Sequence, residues 1–462
     1  MGRSSWLRGW YGEGGGREVL ALAWPLIVGN SLWTAQIILD RILLSRTSSD
    51  TVGAAMASAM LFWTPLTLFQ FTANYATTFV AQYTGAAQAR RVGPVVWQAL
   101  YFSALAGLAF IGLAPFAETI VAVGNHSEEL QGLEAVYFRC LCFAALPTLI
   151  TAAATSFFAG RGDSKTVLVV NAAGLFVNAP LAYAWIFGAF GLPAWGIAGA
   201  GWATVVATTV SALLALVLFM RPHYRKEFAT LAGWRFDARL FLRLLRFGLP
   251  SGVFVALDTL VFTVFIFLVG RMGRVQLDAT SVTFTLNLIS FLPIMGVGQA
   301  VGILVGQRLG ENRPDWAARS TWSGFAIALF AMTILAVPYL FAPNFLAEIF
   351  RAEADTATWE QVRELVPVLL RFVAFYCLFD SMNMVFSNAL RGAGDTRYVT
   401  LAGVVLSWTV MVIPTSAALR YGWGLYWAWT FASAYVMALG LAMLARFLQG
   451  KWRAMRVIET AN

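Results

Sequence analysis

Three aspartates offer the sequence's most distinctive chemistry. Asp40, Asp258 and Asp380 each lie inside a long apolar stretch: NSLWTAQIILDRILL, GVFVALDTLVFTVF and FVAFYCLFDSMNMVF. A charge at the centre of a bilayer costs about 2.5–3.5 kcal/mol on insertion scales, so three together would oppose insertion by roughly 8–10 kcal/mol. Such groups must face a wet cavity, pair with other groups or take up a proton. A carboxylate with that choice can bind and release H⁺ or a small cation in turn. No other acidic residue falls within an apolar segment.

The segments that must hold these aspartates follow from composition. Of 462 residues, 59% are hydrophobic and only 12% charged, and the mean hydropathy is +0.70. A soluble globular chain carries roughly 25% charged residues, so lipid must solvate most of this one. About twelve stretches reach the roughly 20 apolar residues that a spanning helix needs. They begin near Val19, Val52, Pro94, Ala135, Thr166, Ile197, Arg239, Ala279, Ala318, Leu365, Tyr398 and Leu425. They are too long and too evenly apolar for outer-membrane strands. The fold class is therefore all-α, a polytopic membrane protein of two six-helix bundles. Cys140, Cys142 and Cys377 fall inside predicted helices and read as small core residues. The first helix has no cleavage box after its apolar run and is expected to stay uncleaved.

Charge placement orients the chain. Lys and Arg in alternate connections, starting with Arg3, Arg8 and Arg17, account for 23 of the 32. The positive-inside rule puts that set and both termini in the cytoplasm of a multi-pass protein. The opposite connections, 118–134 and 348–364, are acidic. The net charge of +9 is thus a topology signal, and no soluble basic face exists for nucleic acid.

The longest polar connection, from Arg221 to Arg246, divides the chain after helix six. The expected organisation is a cytoplasmic tail 1–17, a six-helix lobe 18–220, a cytoplasmic linker 221–238, a second six-helix lobe 239–449 and a tail 450–462. The halves are repeats. Pro25 and Pro250, Arg46 and Arg271, Gln82 and Gln307, and Gly85 and Gly310 match at one offset, 225. AGRGDSK at Gly160, Gly162 and Asp163 matches RGAGDTR at Gly392, Gly394 and Asp395, at 232. An even number of helices per repeat gives parallel topology, which suits alternating access by two bundles about a shared site. The repeat counterparts of Asp40, Asp258 and Asp380 are Phe265, Trp33 and Thr148, so the duplicated scaffold does not need the acids.

Other residues carry weaker signals. Pro25 and Pro250 interrupt helices one and seven and could act as hinges or static kinks. Helices two and eight are rich in neutral polar residues. Thr67, Gln70 and Asn287 could line a substrate cavity, with Phe284 and Phe291 offering cation–π faces, although interhelical packing explains any one of them as well. In the RGxGD-like turns glycine permits a tight reversal and the aspartate can cap the next helix.

The ordered set LAWPLIVGN, DRILLSR, FVAQYTGAAQARR, FFAGRGDSKTVLVVN, RFGLPSG, VGQAVGILVGQRLGENR and NALRGAGDTR resembles the multidrug and toxic compound extrusion (MATE) family, in its NorM-like branch of the MOP flippase superfamily. The resemblance covers nearly the whole chain. It implies a V-shaped, two-lobed antiporter that exports small organic cations in exchange for inward Na⁺ or H⁺, without an ATPase domain, an enzymatic activity or a resident cofactor. It further implies a monomer in the bacterial plasma (inner) membrane, with the lipid bilayer and cationic substrates as partners. Asp258 and Asp380 match the cation-coupling positions of helices seven and ten, and would be the metal ligands if sodium is the ion. Asp40 matches the first-helix aspartate, a proton or conformational switch in the N-terminal lobe. Members that work through that lobe carry a second aspartate four residues after the helix-five asparagine. Here Asn178 is followed at that spacing by Ala182, leaving Asp40 with neutral partners, Asn178 and Gln36.

Two alternatives stand beside this reading. A lipid-linked saccharide or lipid flippase of the same superfamily would favour a cationic cavity. An intramembrane aspartyl protease is suggested by Phe379–Asp380 and Gly392–Ala393–Gly394–Asp395, but fifteen residues of helix separate the acids by about 22 Å.

Overall fold

The computed structural model describes residues 10–350 and 356–459. Arg3 and Arg8 of the basic N-terminal tail, residues 351–355 of one acidic connection and the end of the C-terminal tail lie outside that set. Twelve helices among the described residues are long and apolar enough to cross a membrane, and no strand occurs there. They are α1 (Gly16–Ser45), α2 (Asp50–Gly85), α3 (Ala89–Gly124), α4 (Glu128–Gly160), α5 (Ser164–Phe187), α6 (Ile197–Phe219), α7 (Ala238–Gly270), α8 (Arg274–Gly310), α9 (Pro314–Phe341), α10 (Thr356–Ala393), α11 (Thr396–Tyr421) and α12 (Leu425–Leu448).

The expected all-α, twelve-span architecture is thus present, with longer helices than hydropathy implied. The 38 residues of α10 extend about 57 Å at 1.5 Å per residue, well beyond a hydrocarbon core of about 30 Å. Helix continues past the apolar window because backbone hydrogen bonds persist where side chains turn polar. Outward faces remain apolar, with Phe176 74% and Phe267 65% exposed, as a lipid solvent demands.

Close packing divides the chain into two units. One comprises Met1–Ile27 and Leu257–Arg456; the other comprises Val28–Ala256 and Val457–Asn462. The boundary therefore runs inside α1, two residues after Pro25, and inside α7, six residues after Pro250. Helix continues through both prolines. In the first unit, the start of α1 is held by Glu18, whose Oε1 accepts from Arg308 at 2.7 Å. There Ile27 packs so tightly on Gly296 that a Cβ on that glycine would lie 2.4 Å from the isoleucine side chain. In the second unit, the first part of α7 packs on α2, and a Cβ at Gly252 would lie 2.1 Å from the Leu68 carbonyl oxygen. Ile27 and Gly252 correspond under the repeat offset of 225, and their partners lie three residues apart under it, since the counterpart of Leu68 is Pro293.

Each unit has a central helix that packs against several others, α4 in one and α10 in the other, and these two are repeat equivalents. In the α4 core Phe62 meets Phe110 and Phe138 edge-on, at 5.7 and 6.5 Å. The repeated turns after α4 and α10 differ in one respect from expectation. Asp163 caps α5, accepting from the Thr166 N–H at 3.2 Å and from its hydroxyl at 2.6 Å. Asp395 makes no such cap; it accepts from Arg446 Nε at 2.7 Å instead. The reversals use Gly162 and Gly394, with φ of 85° and 108°. Gly160 and Gly392 serve the packing: a Cβ would lie 2.5 Å from the Thr77 carbonyl in one case and 2.3 Å from that of Gly302 in the other.

Candidate functional site

Asp40 lies on α1 in the unit built from Val28–Ala256, one turn after Gln36. Both line a cavity of about 140 Å³ walled by α1, α2, α4 and α6, with Trp33, Trp63, Tyr137 and Thr204 among its other lining residues. At about 30 Å³ per molecule of liquid water, a space of this size has room for several waters, the kind of environment that an intramembrane carboxylate requires. Trp33 and Trp63 meet edge to face at 5.7 Å. Asp40 is only 8% exposed, and its Oδ1 has no hydrogen-bond partner. Asn178 on α5 is fully buried and lies within electrostatic reach of Asp40, while neither of its amide atoms is paired. Asp40 therefore has Gln36 beside it on the cavity wall and Asn178 within reach in the same unit. Arg41, the next residue along α1, is exposed.

The second cluster lies in the unit containing Leu257–Arg456. Asp258 on α7 accepts a hydrogen bond at its Oδ1 from the hydroxyl of Tyr435 on α12, at 2.7 Å. Asp380 on α10 is 9% exposed and close enough to Asp258 to feel its charge. Asn383, one turn further along α10, interacts with Asp380 and leaves its own Oδ1 unpaired. Tyr376 and Cys377 of α10 also face Asp380. Two carboxylates, a phenolic oxygen and an amide oxygen thus converge, an all-oxygen set of the kind that hard cations and protons share. No group of three or more His, Cys, Asp or Glu gathers among the described residues in a way that could hold a metal ion.

The other sequence candidates are dispersed. Phe284 on α8 belongs to a packed aromatic cluster, 5.1 Å from Trp429 and 6.1 Å from Phe262. Asn287 is half-buried, with its Oδ1 3.9 Å from Cys377 Sγ. Thr67 turns its hydroxyl back onto the Thr64 carbonyl of its own helix at 2.8 Å. Gln70 and Phe291 are half-buried. Residues that sequence reasoning missed are Tyr435, Asn383, Tyr137 and the Trp33–Trp63 pair. Asn383 was findable, since a polar residue three positions after Asp380 shares its helical face. The Tyr435 contact spans 177 residues and leaves no local signal.

A family model described as MatE matches residues 25–184 and 250–416. The chain belongs to this family. The two matched blocks begin at Pro25 and Pro250, so the internal repeat is that of MatE. Among curated relatives, a probable multidrug resistance protein NorM of Mesorhizobium japonicum is 27% identical over 440 residues, covering 94% of this chain and 93% of that one. Another protein of that name, from Xanthomonas axonopodis pv. citri, is 28% identical over 439 residues and 93% of each chain. A solved structure described as the crystal structure of MATE in the straight conformation superposes with a TM-score of 0.84 at 18% identity, over 97% of each chain, which establishes the shared fold. As a MatE member the chain is a membrane transporter and not an enzyme, and the protease alternative falls. Its second aspartate, Asp395, is engaged with Arg446 in a connection after α10.

Proposed function

We propose that this MatE protein is a secondary antiporter that exports small organic cations, a multidrug efflux pump driven by inward Na⁺ or H⁺ through alternating access of its two lobes. The observation that carries the reading is the pair Asp258 and Asp380, two carboxylates within electrostatic reach on spanning helices with neutral oxygens beside them. Such a site must be neutralised part of the time, because a permanently charged pair in hydrocarbon is too costly. A mobile cation that does so links its own gradient to the conformation of the protein. Asp40 serves as the switch of the N-terminal lobe, with Asn178 and Gln36 as neutral partners. The acidic character of both clusters suits cationic cargo, and Trp33 and Trp63 supply ring faces for it.

The names of the curated relatives support the drug-export part of this reading. The positive-inside distribution supports cytoplasmic termini in a bacterial inner membrane, and a single chain contains both lobes, so a monomer suffices. The deciding experiment is export of ethidium from whole cells under imposed Na⁺ and pH gradients, applied separately. Export driven by one of them is expected, and no export under either would refute the proposal.

A further inference from the structure

We propose that Tyr435 is the third functional group of the C-terminal cation site: its hydroxyl donates to Asp258 while the site is empty and presents its oxygen when the driving cation arrives. This rests on the coupling role proposed above for Asp258 and Asp380.

Tyr435 is 1% exposed, with its ring packed against Phe262 at 6.3 Å. Its hydroxyl reaches Asp258 Oδ1 at 2.7 Å, the ordinary length of a well-formed O–H···O hydrogen bond. A buried phenol left without a partner is costly, so the contact holds whenever the carboxylate is bare. A phenol carries both a donor hydrogen and acceptor lone pairs on one atom, and the hydrogen can swing about the C–O bond. When a proton from solution binds Asp258, the acid becomes the donor and Tyr435 Oη the acceptor. When Na⁺ binds, Oη becomes a neutral oxygen ligand beside the carboxylates. In both cases the phenol keeps its own proton, and the only species gained and later released is the driving cation.

Among the groups around the site, Tyr435 is joined to Asp258 directly. On α10, Asp380, Asn383, Tyr376 and Cys377 face the cluster, Asn383 being engaged with Asp380, and Arg391 acts on Asp258 from further along the same helix. On α8, Thr283 bonds the Ala279 carbonyl of its own helix at 2.8 Å, and Thr280 Oγ1 accepts from the Trp429 indole at 3.1 Å. On α9, Tyr339 is bonded to Ser290 and the Leu286 carbonyl. The hydrogen bond to Asp258 itself comes from α12.

The test uses the full-length protein in liposomes, with ethidium as cargo and Na⁺ and H⁺ varied independently, beside Tyr435→Phe, which keeps the ring and removes the hydroxyl. With proton coupling, half-maximal export in the variant moves to more alkaline pH by a factor of about ten in proton concentration, the size expected for one hydrogen bond to a charged group. With sodium coupling, the half-saturating Na⁺ concentration instead rises about tenfold by the same reasoning. Fluorotyrosine at position 435, a stronger donor of nearly equal size, moves a proton midpoint the opposite way and keeps the test open should the phenylalanine variant not fold. Midpoints equal to wild type in both variants, with export intact, overturn the role of Tyr435 while leaving the coupling reading standing. Wild-type export indifferent to both cations removes the coupling reading itself.

Discussion

Gly392 approaches Gly302 so closely that a Cβ on the former would lie 2.3 Å from the carbonyl oxygen of the latter. Nothing there can yield, since the obstacle is backbone. Gly392→Ala is therefore expected to destabilise the protein by about 1–3 kcal/mol, the usual range for overpacking, and Gly160→Ala to do the same against Thr77. Thermal unfolding of the purified variants in detergent checks both.

Asp258→Asn combined with Asp380→Asn should leave the folded protein as stable as wild type or more so, because two desolvated acids are replaced by neutral amides. Gradient-driven ethidium export should fall to background. Undiminished pumping by the double variant would end the coupling mechanism.

Asp40→Asn removes the carboxylate of the N-terminal cavity while keeping its shape. Export of permanently charged cations is expected to weaken with little change in unfolding temperature. In the same cavity Trp63→Leu should raise the half-saturating ethidium concentration two- to thirtyfold, corresponding to about 0.5–2 kcal/mol of cation–π attraction. Concentration series for export measure both.

The two repeated turns should respond differently to the same substitution. Asp163→Ala loses a helix cap worth about 1 kcal/mol. Asp395→Ala leaves Arg446, whose side chain is 15% exposed, without its carboxylate, and breaking a buried pair costs up to about 3–5 kcal/mol. The second variant should therefore unfold at the lower temperature, yet export when assayed well below it.

Much of this architecture was legible in the residues. Twelve apolar runs imply twelve spanning helices because lipid permits no other way to satisfy the backbone. The three aspartates stood out because charge in hydrocarbon is rare. Asn178 as a neutral partner of Asp40 came from the family resemblance and not from any local signal in the residues. What stayed hidden depended on contacts between distant segments: Tyr435 with Asp258, the tryptophan pair around the Asp40 cavity, and Arg446 drawing Asp395 away from a cap. The glycines of the RGxGD-like turns were read as turn formers. Only Gly162 and Gly394 play that part, because close approach of two helices has no signature within either one.

The division of α1 after Ile27 and of α7 after Ala256 bears on how the protein is made. The segment of α1 that ends at Ile27 is made about 230 residues before the rest of its unit, which begins at Leu257. At about 5–20 residues per second, it waits on the order of ten seconds to a minute for that remainder. The other unit takes in Val457–Glu459, made about 200 residues after the rest of it ends at Ala256: the backbone N–H of Val457 donates to Gln82 at 2.9 Å, and Glu459 pairs with Arg243 at 2.8 Å. Severing the chain at the central linker would leave each fragment carrying a piece of helix that belongs to the other, so two separately expressed halves should mature only when produced together.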